Sequence, residues 1–302
     1  MRELEAMGYS HLYGISPIVN ALSAGKRDFT EDEVLANPED PDIPEKAIPT
    51  TRLFIQETSV SSSPSSRSTS KSLASSTIKS LCASLSIPMT TTDKGTLNSM
   101  SNNRPHQGYV LRTRSLTLPQ VPSSSLFAPP SDPTSPKLWV ALDEVVDPQN
   151  FGAILRSAYF LGSGSSQEVR VLVCGKNSSP PTPVASASSA GAMELMDVMS
   201  VRNMPEALGR AKEEGWRVLG ASLGGGGEGE SRGMGEWDKD VPTVLVMGNE
   251  GKGMRNLVER ACEGFVMIEG GGEANVEGGG VDSLNVSVTA GILMNYFVGR
   301  SN

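Results

Sequence analysis

The first segment whose residue types suit chemistry is residues 142–162, LDEVVDPQNFGAILRSAYFLG. Asp147 and Pro148 fit the N-cap and the first position of a helix, so Asn150 falls in its first turn. The apolar side chains of this helix cluster on one face of a helical wheel, and Arg156 lies across from them. An arginine there can face a cleft or a partner. An exposed arginine that only aids solubility is the alternative that this segment alone leaves open.

A second segment, residues 244–254 (VLVMGNEGKGM), ends a predicted strand in a glycine-rich turn. It has neither the G-x-x-x-x-G-K-[ST] spacing of a P-loop nor the G-x-G-x-x-G spacing of a dinucleotide-binding turn. A strand that ends in such a turn still exposes backbone donors and acceptors, which suit the edge of a small polar ligand. The polar side chains of the turn are Asn249, Glu250 and Lys252.

The third segment, residues 278–298, is a glycine-rich loop that runs into a helix. We expect Asp282 or Ser283 to cap its first turn. Asn285 lies where the helix begins; taken alone, it fits a local capping partner better than a ligand-binding amide. Apolar residues recur at i, i+4 and i+8, and we expect them to form a buried stripe: Leu284, Val288 and Ile292.

Alternating strands and helices position these segments. The predicted strands are residues 138–142, 169–174, 216–221, 243–247 and 265–268, and the predicted helices are residues 150–161, 191–199, 205–214 and 254–261. This order predicts an α/β fold with a mostly parallel sheet covered on both faces. Ligands of such sheets bind outside the carboxyl ends of the strands. The glycine-rich tract at residues 223–236 is interpreted as a flexible insertion.

The N-terminal residues 1–118 predict a smaller α/β domain with strands near 53–55 and 109–111. Within it, the serine-rich insertion at residues 59–76 is low in complexity, and we expect it to be mobile, with a helix returning after it. Residues 119–136 carry a proline every few positions, which is typical of an interdomain linker.

Composition limits the class of protein. The chain has 302 residues, of which 37% are hydrophobic, so it is long enough for about two domains. Its three cysteines lack C-x-x-C spacing and it has two histidines, which argues for a reducing compartment and against a metal site. No apolar run reaches the roughly 18 residues of a membrane span. We expect a soluble protein with no metal and no membrane partner.

The net charge of −8 is unevenly distributed. Residues 59–130 contain seven Lys/Arg and one acid, a charge of +6, so the remainder carries −14. A basic segment in an acidic protein fits either a phosphate-binding surface or a solvated linker. The first 14 residues lack an Arg/Ser-rich amphipathic pattern, so a presequence is either absent or upstream of this numbering.

In their order and spacing, the three segments resemble the signature motifs of the SpoU (TrmH) family of RNA ribose 2′-O-methyltransferases. The matching motifs are N-x5-R after an LDxVxDPxN lead, then MGNEGKGM, then SLNVSVTAGI. VASASSAGAMELM, residues 184–196, resembles the stretch between the first two. LYGISPIVNALSAGKR with RLFIQE is similar to the L30e-like substrate-recognition domain of many members. DKGTLNSMSNNRPHQGYVLR is similar to the end of that domain in mitochondrial large-subunit rRNA members.

The resemblance implies a trefoil-knotted, SPOUT-type methyltransferase domain at residues 137–302 that works as a homodimer and binds S-adenosylmethionine in the knot. The implied activity is 2′-O-methylation of a ribose, a guanosine in mitochondrial large-subunit rRNA, and the implied location is the mitochondrion. Two alternatives stay open: a tRNA ribose 2′-O-methyltransferase, and a non-catalytic RNA-binding ribosome-assembly factor with the same fold.

By motif position, the resemblance also assigns residues. The implied catalytic residues are Arg156, Asn150, Glu250, Ser283 and Asn285. The implied cofactor-binding residues are Met247, Gly248, Asn249, Gly251, Ile268, Leu284, Asn285 and Val286. Methyl transfer to a ribose hydroxyl is an in-line displacement, so the reactants must be aligned and a weakly acidic proton removed. Because an arginine does not readily lose its proton, we expect Arg156 to bind the target phosphate and orient the 2′-OH. The family's short turn before the third motif is replaced by a Gly/Glu-rich insertion at residues 269–280, which we expect to leave the site intact.

Overall fold

A computed structural model describes residues 5–29, 51–57, 67–162, 168–176, 178–222, 230–249, 251–270 and 283–298. The chain divides into two compact units, Met1–Leu116 and Thr117–Asn302. Among the helices in these ranges, none has the length and hydropathy that a membrane crossing requires.

The first unit is built on a mixed sheet with four strands in its described ranges. These are β1 (Tyr9–Tyr13), β2 (Arg52–Gln56), β3 (Met89–Thr92) and β4 (Tyr109–Arg114), in the spatial order β1-β4-β2-β3. Strand β4 is antiparallel to β1 and β2, and β2 is parallel to β3. The helices are α1 (Ile15–Ala24), α2 (Arg67–Ser84) and α3 (Lys94–Met100).

The core of the first unit lies between one face of this sheet and the helices α1 and α2. It buries Leu12, Leu53 and Leu111 from the strands against Ile18 and Ile78 from the helices. Helix α2 begins at Arg67, earlier than the serine-rich composition led us to expect, whereas residues 59–66 lie outside the described ranges. Packing of its apolar side chains on the core stabilises a helix whose serine-rich sequence has little intrinsic propensity.

The second unit is built on a parallel sheet with seven strands in its described ranges. These are β5 (Leu138–Leu142), β6 (Val169–Cys174), β7 (Val198–Val201), β8 (Arg217–Ala221), β9 (Glu230–Gly233), β10 (Thr243–Met247) and β11 (Gly264–Met267). Their order is β7-β6-β5-β10-β8-β11-β9, and every neighbouring pair is parallel. The central strands β5 and β10 are buried at every position, which confirms the predicted parallel sheet covered on both faces.

Helices cover both faces of this sheet. They are α4 (Pro148–Leu161), α5 (Pro183–Ser188), α6 (Ala192–Leu195), α7 (Met204–Glu213), α8 (Asn256–Glu259) and α9 (Val286–Val298), with 3-10 turns at Ser123–Ser125 and Met234–Glu236. Helix α4 packs against α5, α6 and α9, and α7 packs against α8. On the face of the sheet that α7 covers, the core includes Trp139, Trp216 and Val244.

Two expectations for the second unit differ from the structure. The helix predicted at residues 191–199 ends at Leu195, and β7 follows it and pairs with β6. A short apolar run does not separate helix from strand by its periodicity, which explains the error. In the tract interpreted as a flexible insertion, β9 forms an edge strand on β11, while residues 223–229 lie outside the described ranges.

Residues 119–136, expected to be a linker, pack on the second unit. Leu126 and Phe127 are buried, and the Phe127 ring meets Trp139 edge-on with centroids 4.9 Å apart. The indole N–H of Trp216 donates to the carbonyl of Ala128 at 2.9 Å. This segment therefore forms part of the core on the α7 side of the sheet.

Candidate active site

A cavity of about 330 Å³ lies at the carboxyl edge of the second unit's sheet. The turns after β8 and β10, strand β11 and the residues around the start of α9 form its wall. Its lining is partly apolar, from Met247, Met254, Phe265, Leu284 and Val286, and partly polar, from Ser222, Asn249, Lys252, Asn256, Glu259 and Thr289. A cavity of this kind can hold a flat apolar ring beside a group with several polar atoms.

A smaller cleft of about 200 Å³ adjoins this cavity. Residues 145–147 and Asn150 line one side of it, and Gly251 lines the other. Gly248, Asn249 and Val286 line both spaces. Two ligands, one in each space, would meet at these shared residues.

Asn285 joins the first segment to the third. Its side-chain N–H donates to Oδ1 of Asn150 at 3.0 Å, across 135 residues of sequence. Its Oδ1 accepts from the backbone N–H of Ser287 at 2.9 Å and from the Ser287 hydroxyl at 2.6 Å. Asn285 is thus both the cap of α9 and a bridge to α4. The sequence alone favoured the cap, and the structure shows both roles in one amide.

Asn150 owes its position to the start of α4. Asp147 caps this helix by accepting from the backbone N–H of Gln149 at 2.9 Å, and Pro148 occupies the first turn. The helix therefore starts where the sequence predicted, and Asn150 lies in the first turn at the edge of the smaller cleft. Asn285 caps α9, as its place at the start of the helix predicted, and Asp282, another expected cap, lies outside the described residues.

The glycine-rich turn after β10 folds back on itself. Backbone hydrogen bonds of 2.9 Å run in both directions between Asn249 and Gly253. The Asn249 Oδ1 accepts from the N–H groups of Gly251 and Lys252 at 3.0 and 3.2 Å, and its Nδ2 donates to the carbonyl of Glu144 at 3.0 Å. The amide of Asn249 therefore fixes the turn and ties it to the loop after β5.

Gly248 lies where this turn leaves no room for a side chain. A Cβ at this position would be 2.6 Å from the carbonyl carbon of Gly253 and 2.7 Å from the backbone nitrogen of Met254. Because those neighbours are backbone atoms, they cannot rotate away as a side chain would. Only glycine fits the close approach that shapes the wall shared by the two spaces.

An ion pair between a buried carboxylate and a half-buried arginine holds the loop after β5 to the turn after β10. Asp143 is fully buried, and its carboxylate accepts from the Arg255 guanidinium at 2.5 and 2.8 Å and from the Arg255 backbone N–H at 2.9 Å. The hydrogen bonds to Asp143 raise the pKa of Arg255. This pair was not among the site residues predicted from the sequence. An acid directly after an all-apolar strand, and an arginine directly after MGNEGKGM, were the signals that could have found it.

Arg156 lies on the exposed side of α4, as the helical wheel predicted, while Phe151, Ile154 and Ala158 are buried. Within the described ranges it makes no ion pair or hydrogen bond. Since residues six apart on a helix differ by about 120° around its axis, Arg156 and Asn150 do not project in the same direction. Phe160 follows Arg156 by one turn and is 79% exposed.

The stretch VASASSAGAMELM, residues 184–196, packs against α4. A Cβ at Gly152 would lie 2.5 Å from the carbonyl oxygen of Ala185 and 2.7 Å from the Cβ of Ser188, so α4 and α5 touch at this glycine. The Ser186 hydroxyl donates to the fully buried carboxylate of Glu194 at 2.7 Å. These contacts fix the helix that carries Asn150 and Arg156.

The remaining assigned residues divide into three groups. Ser283 is half-buried just before Asn285, and Ile268 is half-buried just after β11 without lining either space. Glu250 lies outside the described residues. The predicted buried stripe on the third segment is wrong, because Leu284 and Val288 are 43% and 48% exposed and Ile292 is only half-buried. Helix α9 instead buries Val286, Ala290, Leu293, Met294, Phe297 and Val298.

Three curated relatives share the name "rRNA methyltransferase 1, mitochondrial". The Homo sapiens protein is 36% identical over 218 residues, covering 69% of this chain and 58% of that protein. The Dictyostelium discoideum protein is 35% identical over 232 residues, covering 70% and 42%. The Schizosaccharomyces pombe protein is 33% identical over 234 residues, covering 69% and 73%. The match thus spans about half the length of the first two relatives.

Solved structures of similar fold include the AdoMet-bound rRNA methyltransferase from Sinorhizobium meliloti, with a TM-score of 0.65 and 17% identity over 98% of this chain and 89% of that one. The SpoU methyltransferase AviRb from Streptomyces viridochromogenes, in complex with AdoMet, has a TM-score of 0.62 and 19% identity over 98% and 92%. The profile described as "SpoU rRNA Methylase family" matches residues 137–295. This chain, whose three motif segments meet at the smaller cleft, belongs to the SpoU rRNA methylase family.

Proposed function

We propose that the protein is an S-adenosylmethionine-dependent RNA ribose 2′-O-methyltransferase that acts on a guanosine of mitochondrial large-subunit rRNA. The observation that carries the proposal is the Asn285–Asn150 hydrogen bond, which joins the first and third motif segments beside two adjoining spaces. Family membership and the names of the relatives support the substrate and the compartment.

The larger cavity fits the cofactor by size and by lining. Its volume of about 330 Å³ lies in the range of small-molecule sites, about 300–1,000 Å³. Leu284 and Val286 offer apolar surface for a purine, and the turn at Gly248 brings backbone close to it. Met247 and Asn249 also line this cavity. Gly251, which lines the smaller cleft, completes the proposed binding set together with Ile268 and Asn285, which belong to it by motif position alone. When bound, the cofactor supplies an activated methyl group on a sulfonium.

The protein's own side chains align the acceptor. The smaller cleft beside Asn150 takes the target ribose, and the bridge to Asn285 holds both asparagines in one orientation. Arg156 keeps its proton, binds a phosphate of the target strand and orients the 2′-OH, whose proton passes to a phosphate oxygen or another group. Ser283 and Glu250 complete the proposed catalytic set. Alignment of this kind supplies most of what a pre-activated methyl transfer requires.

We further propose that the enzyme works as a homodimer through the face formed by α4 and α9. These helices pack together, and a Cβ at Gly291 would lie 3.6 Å from the hydroxyl oxygen of Ser157. Large exposed apolar side chains lie on and just before the two helices: Val146, Phe160, Leu284 and Val288. Apolar surface of this kind marks an interaction site. Arg156 shares the exposed side of α4 with Phe160. A partner copy bound to this face therefore brings Arg156 close to an active site of the dimer.

We also propose that the second unit has the knotted SPOUT-type topology. We propose that the first unit is an L30e-like domain that recognises the substrate. The mixed sheet with helices α1 and α2 on one face supports an α/β recognition domain of that size. The domain limits that we propose are residues 1–118 and 137–302, with residues 119–136 packed on the second of these domains.

Transfer of a tritiated methyl group to purified RNA tests the function. Wild-type protein is expected to label mitochondrial large-subunit rRNA and not tRNA, and Arg156→Ala is expected to lose the label with cofactor binding intact. Arg210→Ala is the matched control, because Arg210 is an exposed arginine on α7 that pairs only with Glu213 among the described acids. Label in tRNA alone would establish the tRNA enzyme. RNA binding without label in either substrate would establish a non-catalytic binding factor.

A further inference from the structure

Two arginines lie side by side on the sheet of the first unit. Arg52 on β2 is directly opposite Arg112 on the antiparallel strand β4, and Arg112 is directly opposite His11 on β1. Because side chains alternate across a strand, this row lies on the face opposite Leu53 and Leu111, which pack on α1 and α2. The three side chains therefore share the sheet face opposite α1 and α2. Helix α3 contacts β2 and β4, so this face is partly covered, and both arginines keep part of their surface exposed.

Neither arginine of this pair has a carboxylate partner among the described residues. Arg52 donates to the hydroxyl oxygen of Thr90 at 2.8 Å. The Arg112 guanidinium lies 5.0 Å from the centre of the Phe54 ring, and its Nε points at His11 Nε2 at 3.4 Å. Both arginines are half-buried, so solvent screens their charges less than it would on an open surface.

Two acids described in this unit are engaged with other partners. Asp28 pairs with Arg114 at 3.3 Å, and Asp93 caps α3 through Thr96. The positive charges act on Arg112 itself and on its neighbour His11. Burial and the charge of Arg52 lower the pKa of Arg112, and burial and the charge of Arg112 lower the pKa of His11 to about 4. Positive potential at this row is therefore uncompensated within the described residues.

Like charges directly opposite each other destabilise a sheet. Two half-buried arginines without an acid are consequently an unfavourable arrangement for folding alone, and a bound anion would remove the penalty. The planar guanidinium fork matches the oxygens of a phosphate. Thr90 and Phe54 hold the two forks in place, which reduces the entropy lost when they bind.

We propose that the Arg52–Arg112 pair is a docking surface for backbone phosphates of the RNA substrate, an inference that rests on the proposed function for the identity of the anion. Phosphate contacts position RNA without reading its sequence. The pair therefore contributes affinity and orientation, and base choice belongs to other residues.

Filter binding of a large-subunit rRNA fragment to the full chain, over a series of KCl concentrations, tests the surface. Each phosphate contact contributes about 0.7–0.9 to the slope of log K against log salt. Arg52→Gln/Arg112→Gln is expected to reduce the slope by about 1.4–1.8 and to weaken binding about 25- to 60-fold at roughly 0.1 M salt. Arg52→Lys/Arg112→Lys, which keeps both charges, is expected to keep the slope. Lys79→Gln, an exposed lysine on α2 at the other side of the sheet, is the matched control and is expected to change neither value.

An unchanged slope in a folded Arg52→Gln/Arg112→Gln protein would overturn the proposal, as would an equal loss in Lys79→Gln. If the double variant does not fold, Arg52→Gln alone is measured, and half of the slope change is expected. A slope that stays at the wild-type value in this single variant would contradict the docking surface. Inorganic polyphosphate provides the second arm. Arginine-dependent binding of polyphosphate together with arginine-independent binding of rRNA would overturn RNA as the source of the phosphate.

Methyl transfer by the wild-type protein separates this proposal from the function. If the salt slope depends on the two arginines but the wild-type protein transfers no methyl group, the enzymatic function is refuted and the docking surface is still supported. Methyl transfer with a slope that is the same in wild type and the double variant would refute the surface alone.

Discussion

Substitutions of Asn285 can separate its structural role as a helix cap from its functional role as a bridge to Asn150. It caps α9 through its Oδ1 and bridges to Asn150 through its Nδ2. Asn285→Ser keeps a capping oxygen and loses the bridge, whereas Asn285→Ala loses both. Ser287→Ala is the matched control, since its hydroxyl also donates to Asn285 Oδ1 at 2.6 Å but makes no hydrogen bond to Asn150 in the described structure.

The expected losses follow from these contacts. A side-chain cap contributes about 1 kcal/mol, and a neutral hydrogen bond contributes about 0.5–1.5 kcal/mol. Asn285→Ala should therefore cost about 2 kcal/mol, and Asn285→Ser about 1 kcal/mol. In a unit of this size 1 kcal/mol shifts Tm by about 2–4 °C, so the expected decreases are about 4–8 °C and about 2–4 °C for its transition.

Single-turnover methyl transfer, measured well below both transitions, reads the functional role. Both Asn285 variants are expected to lose about 10²-fold in rate, because a small displacement of an aligning group has that effect. Ser287→Ala is expected to keep the wild-type rate within about threefold. Wild-type turnover by Asn285→Ser would show that the residue only caps the helix, and the positioning role would be wrong.

Three further changes test the surrounding structure. Arg255→Gln leaves the carboxylate of Asp143 buried without its charge partner and should cost about 3–5 kcal/mol by urea unfolding; a cost under about 1 kcal/mol would contradict the pairing. Gly248→Ala places a Cβ 2.6 Å from backbone and should abolish cofactor binding in a calorimetric titration, whereas Gly209→Ala on α7, where an added Cβ meets nothing within 4 Å, should bind; equal binding by both would refute the close-packed turn. The pKa of His11 is lowered from 6.5 to about 4, so the unfolded chain binds more protons between these values and stability falls as pH falls through this window. His11→Gln should lessen that fall in the urea midpoint between about pH 7 and pH 4.5, and an unchanged fall would refute the shift.

Local patterns predicted the elements that carry the first and second motif segments. Buried strands bounded by polar turns gave β5, β6 and β10 with the limits that the structure has. Asp147 followed by Pro148 gave the start of α4, because capping and first-turn preferences act within a few residues. The spacing of motifs, and not any local pattern, indicated that the three segments act together.

Tertiary packing decided what the sequence left open. Helix α9 has apolar side chains on most sides, so its periodicity did not reveal which side faces the core; contact with α4 and the sheet buries Ala290 and Leu293 and leaves Val288 exposed. The Asp143–Arg255 pair joins residues 112 apart in sequence, and no local rule connects them. The bridge between Asn150 and Asn285 is hidden for the same reason.

The most direct test of methyl transfer to a ribose oxygen is alkaline hydrolysis of large-subunit rRNA labelled by the wild-type protein with tritiated S-adenosylmethionine. Alkaline cleavage of RNA needs a free 2′-OH, so a 2′-O-methylated nucleotide survives within a dinucleotide. The proposed function predicts that the tritium lies in alkali-resistant dinucleotides that release 2′-O-methylguanosine on enzymatic digestion. Tritium in single nucleotides, which indicates a methylated base, or no incorporation at all, would contradict it.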